Sequence, residues 1–139
     1  MLGPQLSETL PITNAMDIVS ARRTARSLCQ QLGFSNADQT RLATAVSELT
    51  RNVIQYAGHG ECLIEDCSDE LSRRIRVCVR DWGPGIADVE QALQDGFSTS
   101  GGLGAGLPGT RRLVDEFTIL SGHEGTRVTI VLTRPYRMR

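Results

Sequence analysis

Between positions 74 and 80 the chain alternates without a break: Ile75, Val77 and Val79 fall on one side, Arg76, Cys78 and Arg80 on the other. Successive side chains of a strand point to opposite faces, so this strand has one face on a core and one face away from it. Helices able to cover that face are legible upstream. Ile18, Ala21, Ala25, Leu28 and Leu32 recur at spacings of three and four over residues 15–32, with Thr13 or Asn14 as N-cap and Gly33 as the stop. Leu42, Ala45, Val46, Leu49, Val53 and Ala57 form a second stripe, opened by the capping-box pattern Ser35-x-x-Asp38 and closed by Gly58.

The remaining segments complete a simple order. Residues 6–13 and 60–65 read as strands, 88–94 as a short helix, and a further helix starts near 105–108 and runs to Glu116. Residues 117–121 and 126–133 are strands joined by the turn Gly122-His123-Glu124-Gly125, a hairpin. The predicted fold is α+β: a two-layer sandwich with a mixed, mostly antiparallel sheet and helices on one face. At 139 residues the chain is expected to form a single domain, 1–139.

Composition narrows the function. The net charge of −1 leaves no basic footprint for nucleic acid. No apolar run approaches the ~18 residues of a membrane span, and the N-terminus lacks signal-peptide character, so a cytoplasmic location is expected. All 15 basic residues are Arg. Without Lys, Walker-A nucleotidases, kinases that use a strand lysine and Schiff-base enzymes are excluded. Cys29, Cys62, Cys67 and Cys78 contain no C-x-x-C pair, and His59 and His123 are badly spaced for zinc, so the cysteines read as small apolar residues.

Four segments carry chemistry. Glu48 and Asn52, four apart on the second helix, share a face; alone, the pair fits any solvated helix. Functionally, Asn52 can offer an amide oxygen to Mg²⁺, which needs few protein ligands, while Glu48 works as a base. Asp81-Trp82-Gly83-Pro84-Gly85-Ile86 is turn chemistry after the alternating strand. A buried Asp81 there can accept from the exocyclic amine of adenine and repel the oxygen of guanine, with Gly83 and Gly85 letting backbone approach the base. Trp82 reads as rim packing.

Eight of the 14 Gly lie between Gly83 and Gly109. Most stand in Gly101-Gly102-Leu103-Gly104-Ala105-Gly106-Leu107-Pro108-Gly109, just before a helix, where N–H groups can face an anion. A dinucleotide loop should follow a parallel strand directly, and this one does not. Loops this rich in Gly are expected to be mobile without ligand. Gly125-Thr126 opens the last strand and means little by itself.

In order and spacing these segments resemble the GHKL (Bergerat-fold) ATP-binding family, over nearly the whole chain. They are most similar to its small bacterial anti-sigma-type serine/threonine kinases, in the branch of stressosome switch kinases. The resemblance rests on Ser47-Glu48-Leu49-Thr50-Arg51-Asn52, on Asp81-x-Gly83-x-Gly85, and on Asp95-Gly96-Phe97-Ser98-Thr99-Ser100 running into the glycine-rich string. It implies ATP or ADP with Mg²⁺, and phosphoryl transfer to a Ser or Thr of a STAS-domain protein. Glu48 would then be the catalytic base and Asn52 the metal ligand. Nucleotide contacts would come from Asn52, Asp81, Gly83, Gly85 and Ile86, from the lid residues Gly101, Gly102, Leu103, Gly104, Ala105 and Gly106, and from Thr126. The implied partners are STAS-domain antagonists and a PP2C-type phosphatase, with no nucleic acid and no membrane. A sigma-sequestering anti-sigma factor is the alternative.

Overall fold

The computed structural model describes residues 6–86, 89–93 and 106–136. Among these residues five strands and four helices follow the order expected: β1 (Ser7–Ile12), α1 (Ala15–Gln31), α2 (Asn36–Tyr56), β2 (Gly60–Asp66), β3 (Ser72–Asp81), α3 (Val89–Ala92), α4 (Gly106–Leu113), β4 (Glu116–Gly122) and β5 (Gly125–Pro135). The strands form one sheet in the order β1-β2-β3-β5-β4. Every pairing is antiparallel, which goes further than the mostly antiparallel sheet expected. The reason is β5: it lies between β3 and β4, which point the same way and therefore never meet.

The alternation of β3 is realised as read. Ile75, Val77 and Val79 are buried and pair across to Leu132, Ile130 and Val128 of β5. Against this face pack the stripes of the two long helices, Ala21, Ala25 and Leu28 from α1 and Leu42, Val46, Leu49 and Val53 from α2. The other face carries cross-strand ion pairs, Arg76–Glu65 at 2.8 Å and Arg80–Glu61 at 2.8 Å, all partly exposed and individually weak.

Asn14 is the N-cap of α1, accepting from the Asp17 N–H at 3.1 Å, while the Asp17 carboxylate takes the N–H and hydroxyl of Thr13. Ser35 caps α2 by accepting from the Asp38 N–H at 3.1 Å. The Asp38 carboxylate does not turn back to complete the capping box. It takes Arg134 Nε and Nη2 and Arg41 Nη1, each at 2.9 Å, and ties the start of α2 to the end of β5.

One boundary differs from expectation. The helix expected to reach Glu116 ends at Leu113, and Glu116 opens β4. Asp115 explains this: its N–H donates to Val131 O at 2.9 Å and its carboxylate takes the Thr133 N–H and Arg134 Nη1, both at 2.7 Å, so the chain is already held by β5. Cys29 and Cys62 are buried, and burial pushes both thiols up to about 12. No helix among the described residues is long and apolar enough to cross a membrane.

Candidate functional site

Helix α2 runs from one end of the sheet to the other. Its first turn holds Arg134 of β5, and Ala57 at its C-cap faces the turn after β3: a Cβ placed on Gly83 would stand 2.7 Å from the Ala57 Cβ. At about 1.5 Å of rise per residue, Asn52 lies about 7.5 Å and Glu48 about 13.5 Å back along the axis from Ala57. The strip with Glu48 and Asn52 and the turn after β3 are thus set along one rigid element.

At the turn end, Asp81 closes β3 opposite Gly60. Its Oδ1 accepts two backbone N–H groups, from Gly83 at 2.9 Å and from Thr126 at 3.2 Å. Among the described residues Oδ2 has no partner, so half of the carboxylate is fixed and half is left as an acceptor. Two glycines make the close approach possible. Gly85 has φ +82 and a Cβ there would run into the carbonyl oxygen of Gly122; Gly125 has φ +129 and a Cβ there would meet the carbonyl oxygen of Asp81. The β3 turn therefore lies backbone to backbone on the β4–β5 hairpin.

A hydroxyl pair locks this contact. The Ile86 N–H donates to Ser121 Oγ at 2.6 Å, and Ser121 Oγ and Thr126 Oγ1 are hydrogen-bonded at 2.8 Å. Asp81, Gly83, Gly85, Ile86 and Thr126 form one cluster, and Ser121 is a member the sequence reading missed. A signal existed: a two-residue turn at His123-Glu124 makes Ser121 and Thr126 register partners. Trp82, the single Trp, sits at the rim, half-exposed, with the Arg80 guanidinium 4.8 Å over its ring and His59 stacked at 5.8 Å.

Further back along α2, Glu48 and Asn52 share a half-buried strip. The Glu48 side chain is 12% exposed, and its Oε1 takes Arg51 Nη1 at 2.6 Å. The Asn52 amide makes no hydrogen bond among the described residues, which suits a group whose partner is a ligand. Of the lid residues, Gly101, Gly102, Leu103, Gly104 and Ala105 lie outside the described residues, as does the expected mobility of that segment. Gly106 is the first residue of α4 and accepts from the Thr110 hydroxyl at 2.9 Å. Arg111 and Arg112 are exposed in its last turn.

The residues present fit an adenine nucleotide with Mg²⁺. A free carboxylate oxygen beside an exposed glycine turn suits an amine-bearing base, and an unsatisfied amide further along α2 suits a cation that keeps phosphate and water as its other ligands. Among the described residues no group of three or more His, Cys, Asp or Glu side chains could hold a metal by protein ligands alone.

Fold and site together define a two-layer domain in which one long helix carries Glu48 and Asn52 and ends against the Asp81 turn. Residues 11–132 match the model of the histidine kinase-like ATPase domain, and the chain belongs to that family. It is 47% identical over 121 residues to the serine/threonine-protein kinase RsbT of Bacillus subtilis (strain 168), covering 86% of this chain and 91% of the relative. It is also 30% identical over 119 residues to an anti-sigma F factor of Bacillus cytotoxicus, covering 82% and 81%. Among solved structures, the RsbU and RsbW domains of Rv1364c from Mycobacterium tuberculosis superpose with a TM-score of 0.66 at 21% identity, over 99% of this chain and 35% of that one. The catalytic domain of the histidine kinase ThkA gives 0.53 at 17% identity, over 90% and 95%. These likenesses to solved structures concern the fold. The GHKL resemblance drawn from the motifs holds, and so does its kinase branch.

Proposed function

We propose that this chain is an ATP-dependent serine/threonine protein kinase that phosphorylates a STAS-domain regulator within a partner-switching stress pathway. Once released, it binds and activates a PP2C-type phosphatase. The observation that carries this reading is the 47% identity to RsbT over most of both chains. The α2 strip that presents Glu48 and Asn52 agrees with it.

In this reading Asp81 Oδ2 accepts from the adenine amine while its other oxygen stays bound to Gly83 and Thr126. Thr126 backs the base edge, and Gly83, Gly85 and Ile86 form the wall beside it. Asn52 holds Mg²⁺ through its amide oxygen; the ion supplies charge neutralisation for the phosphates. Glu48, tethered by Arg51, takes the proton of the acceptor Ser or Thr hydroxyl as its oxygen bonds to the γ-phosphorus, and the bond from that phosphorus to the β,γ-bridging oxygen breaks so that ADP leaves. By the family resemblance, Gly101, Gly102, Leu103, Gly104, Ala105 and Gly106 would line the nucleotide and its phosphates. The domain spans 1–139 and works in the cytoplasm.

The test mixes the protein with Mg-ATP and candidate STAS-domain proteins and reads intact masses. A phosphate gained by a STAS protein, and lost with Asn52→Ala, is the expected result. Tight nucleotide binding with no transfer favours a second reading, a nucleotide-gated anti-sigma factor. The 30% identity to anti-sigma F factor is what keeps that reading in play.

A further inference from the structure

Glu48 has one side-chain partner among the described residues, Arg51, whose Nη1 donates to Glu48 Oε1 at 2.6 Å. Pairs at this spacing are common on solvated helices and individually weak. This one differs in its acid: the Glu48 side chain is 12% exposed, against 50% for that of Arg51. A carboxylate so far out of water calls for a cation, and the contact carries the guanidinium onto the strip shared with Asn52. One guanidinium N–H is used there, and the remaining donors have no acceptor among the described residues.

Phosphoryl transfer would set a charge problem on that strip. Glu48 must touch the acceptor hydroxyl while the oxygen of that hydroxyl closes on phosphorus, which brings carboxylate and phosphoryl group to about 5 Å. At an effective dielectric constant of about 20, two like charges at that distance cost more than about a hundredfold in rate. A cation between them removes the cost. The chain has no Lys, and residues 94–105 contain no Arg. Arg111 and Arg112 lie about 7.5 and 9 Å along α4 from Gly106, toward its far end. Arg51 already touches Glu48.

We infer that Arg51 is a catalytic residue that bridges base and phosphate: one guanidinium N–H holds Glu48 Oε1, and others bind the γ-phosphoryl oxygens of ATP. The inference rests on the kinase reading and adds to it the cation of the transfer step. In that step the acceptor hydroxyl gives its proton to Glu48 Oε2 and its oxygen bonds to the γ-phosphorus. The bond from that phosphorus to the β,γ-bridging oxygen breaks, and ADP leaves with the electron pair. Arg51 offsets the charge on the phosphoryl oxygens and moves no proton.

Titration calorimetry with Mg-ATP and Mg-ADP tests this without an acceptor, since only ATP carries the γ-phosphoryl group. Arg51→Gln should weaken ATP about tenfold and leave ADP within about twofold, the loss of one charge-assisted contact. Arg51→Lys keeps the charge without the planar fork and should fall between. A Glu48→Gln background separates contact from mere neutralisation of the carboxylate: there Arg51→Gln should still cost ATP about tenfold. In the intact-mass assay at saturating ATP, transfer to a STAS protein should slow about a hundredfold in Arg51→Gln.

Equal weakening of ATP and ADP would make Arg51 a brace for the helix and overturn the inference. So would an unchanged ATP affinity, or an effect that vanishes in the Glu48→Gln background, which would leave Arg51 as a tether for Glu48 only. A wild type that binds ATP yet phosphorylates no STAS protein fails the kinase reading itself, a separate outcome read before any variant is made.

Discussion

Asp38 and Asp81 stand at opposite ends of the same sheet, each joined to β5, and the protein treats them differently. Asp38 is 4% exposed, and both its oxygens are consumed: Arg134 takes them as a fork and Arg41 adds a third bond. Asp115 extends this knot by binding Arg134 Nη1 and the Thr133 N–H. At the other end Asp81 is met, among the described residues, only by backbone N–H groups, both on one oxygen. A carboxylate whose lone pairs are all taken by its own chain is part of the scaffold. One held by half, in a glycine-lined turn, is held for something else. The pairing of the two ends teaches that the unspent bonding capacity, more than the residue type, marks the site.

Asp81→Asn gives the largest test of this contrast. It keeps an oxygen for Gly83 and Thr126 but turns the free acceptor into a donor facing the adenine amine. ATP affinity should fall on the order of a thousandfold, with the melting temperature almost unchanged. A large loss of stability would break the comparison. Arg134→Ala should do the opposite. It strips Asp38 and Asp115 of a shared partner, and because Arg134 is about a third exposed, the expected cost is about 2–3 kcal/mol in chemical unfolding. Nucleotide affinity of the folded fraction should be unaffected.

The pH dependence sharpens the point further. Burial of Asp38 opposes its ionisation, but the hydrogen bonds and charge of Arg134, with those of Arg41 and Ser35, outweigh it and hold the carboxyl below its ordinary value. A depressed folded pKa means the contribution is present above the unfolded value of about 4 and is lost as pH falls through the folded value. Asp38→Asn should therefore melt below wild type at pH 7, by roughly 1–2 kcal/mol, and the gap should narrow as pH falls below about 4. A gap that stays constant in acid would mean that ionised Asp38 does not hold that end. The smallest effect belongs to Asn14→Ala, which removes the α1 cap and should cost about 1 kcal/mol without touching either end of the sheet.

Much of this was legible in the chain because the physics is local. Alternation over 74–80 and the stripes of α1 and α2 report burial directly, and the helix caps need only three or four residues of context. The cluster of Asp81, Gly83, Gly85, Ile86 and Thr126 came through motif resemblance, and what brings it together is the close approach permitted at Gly85 and Gly125. What escaped depends on partners far away in sequence. Asp38 looked like a capping-box acid until Arg134, ninety-six positions on, claimed it. The end of α4 was hidden because Asp115 answers to β5. Ser121 was passed over because a lone serine in a strand carries no pattern; only the hairpin register gives it a neighbour.

The sheet order has a temporal consequence. Because β5 is the last strand to be made and lies between β3 and β4, a chain emerging from the ribosome shows Ile75, Val77 and Val79 with one strand edge unpaired until residues up to Pro135 are synthesised. Ser121 and Thr126 arrive in that same final stretch. Completion of the sheet is therefore withheld until that stretch is made, and an unfinished chain is an open-edged intermediate dependent on shelter from aggregation.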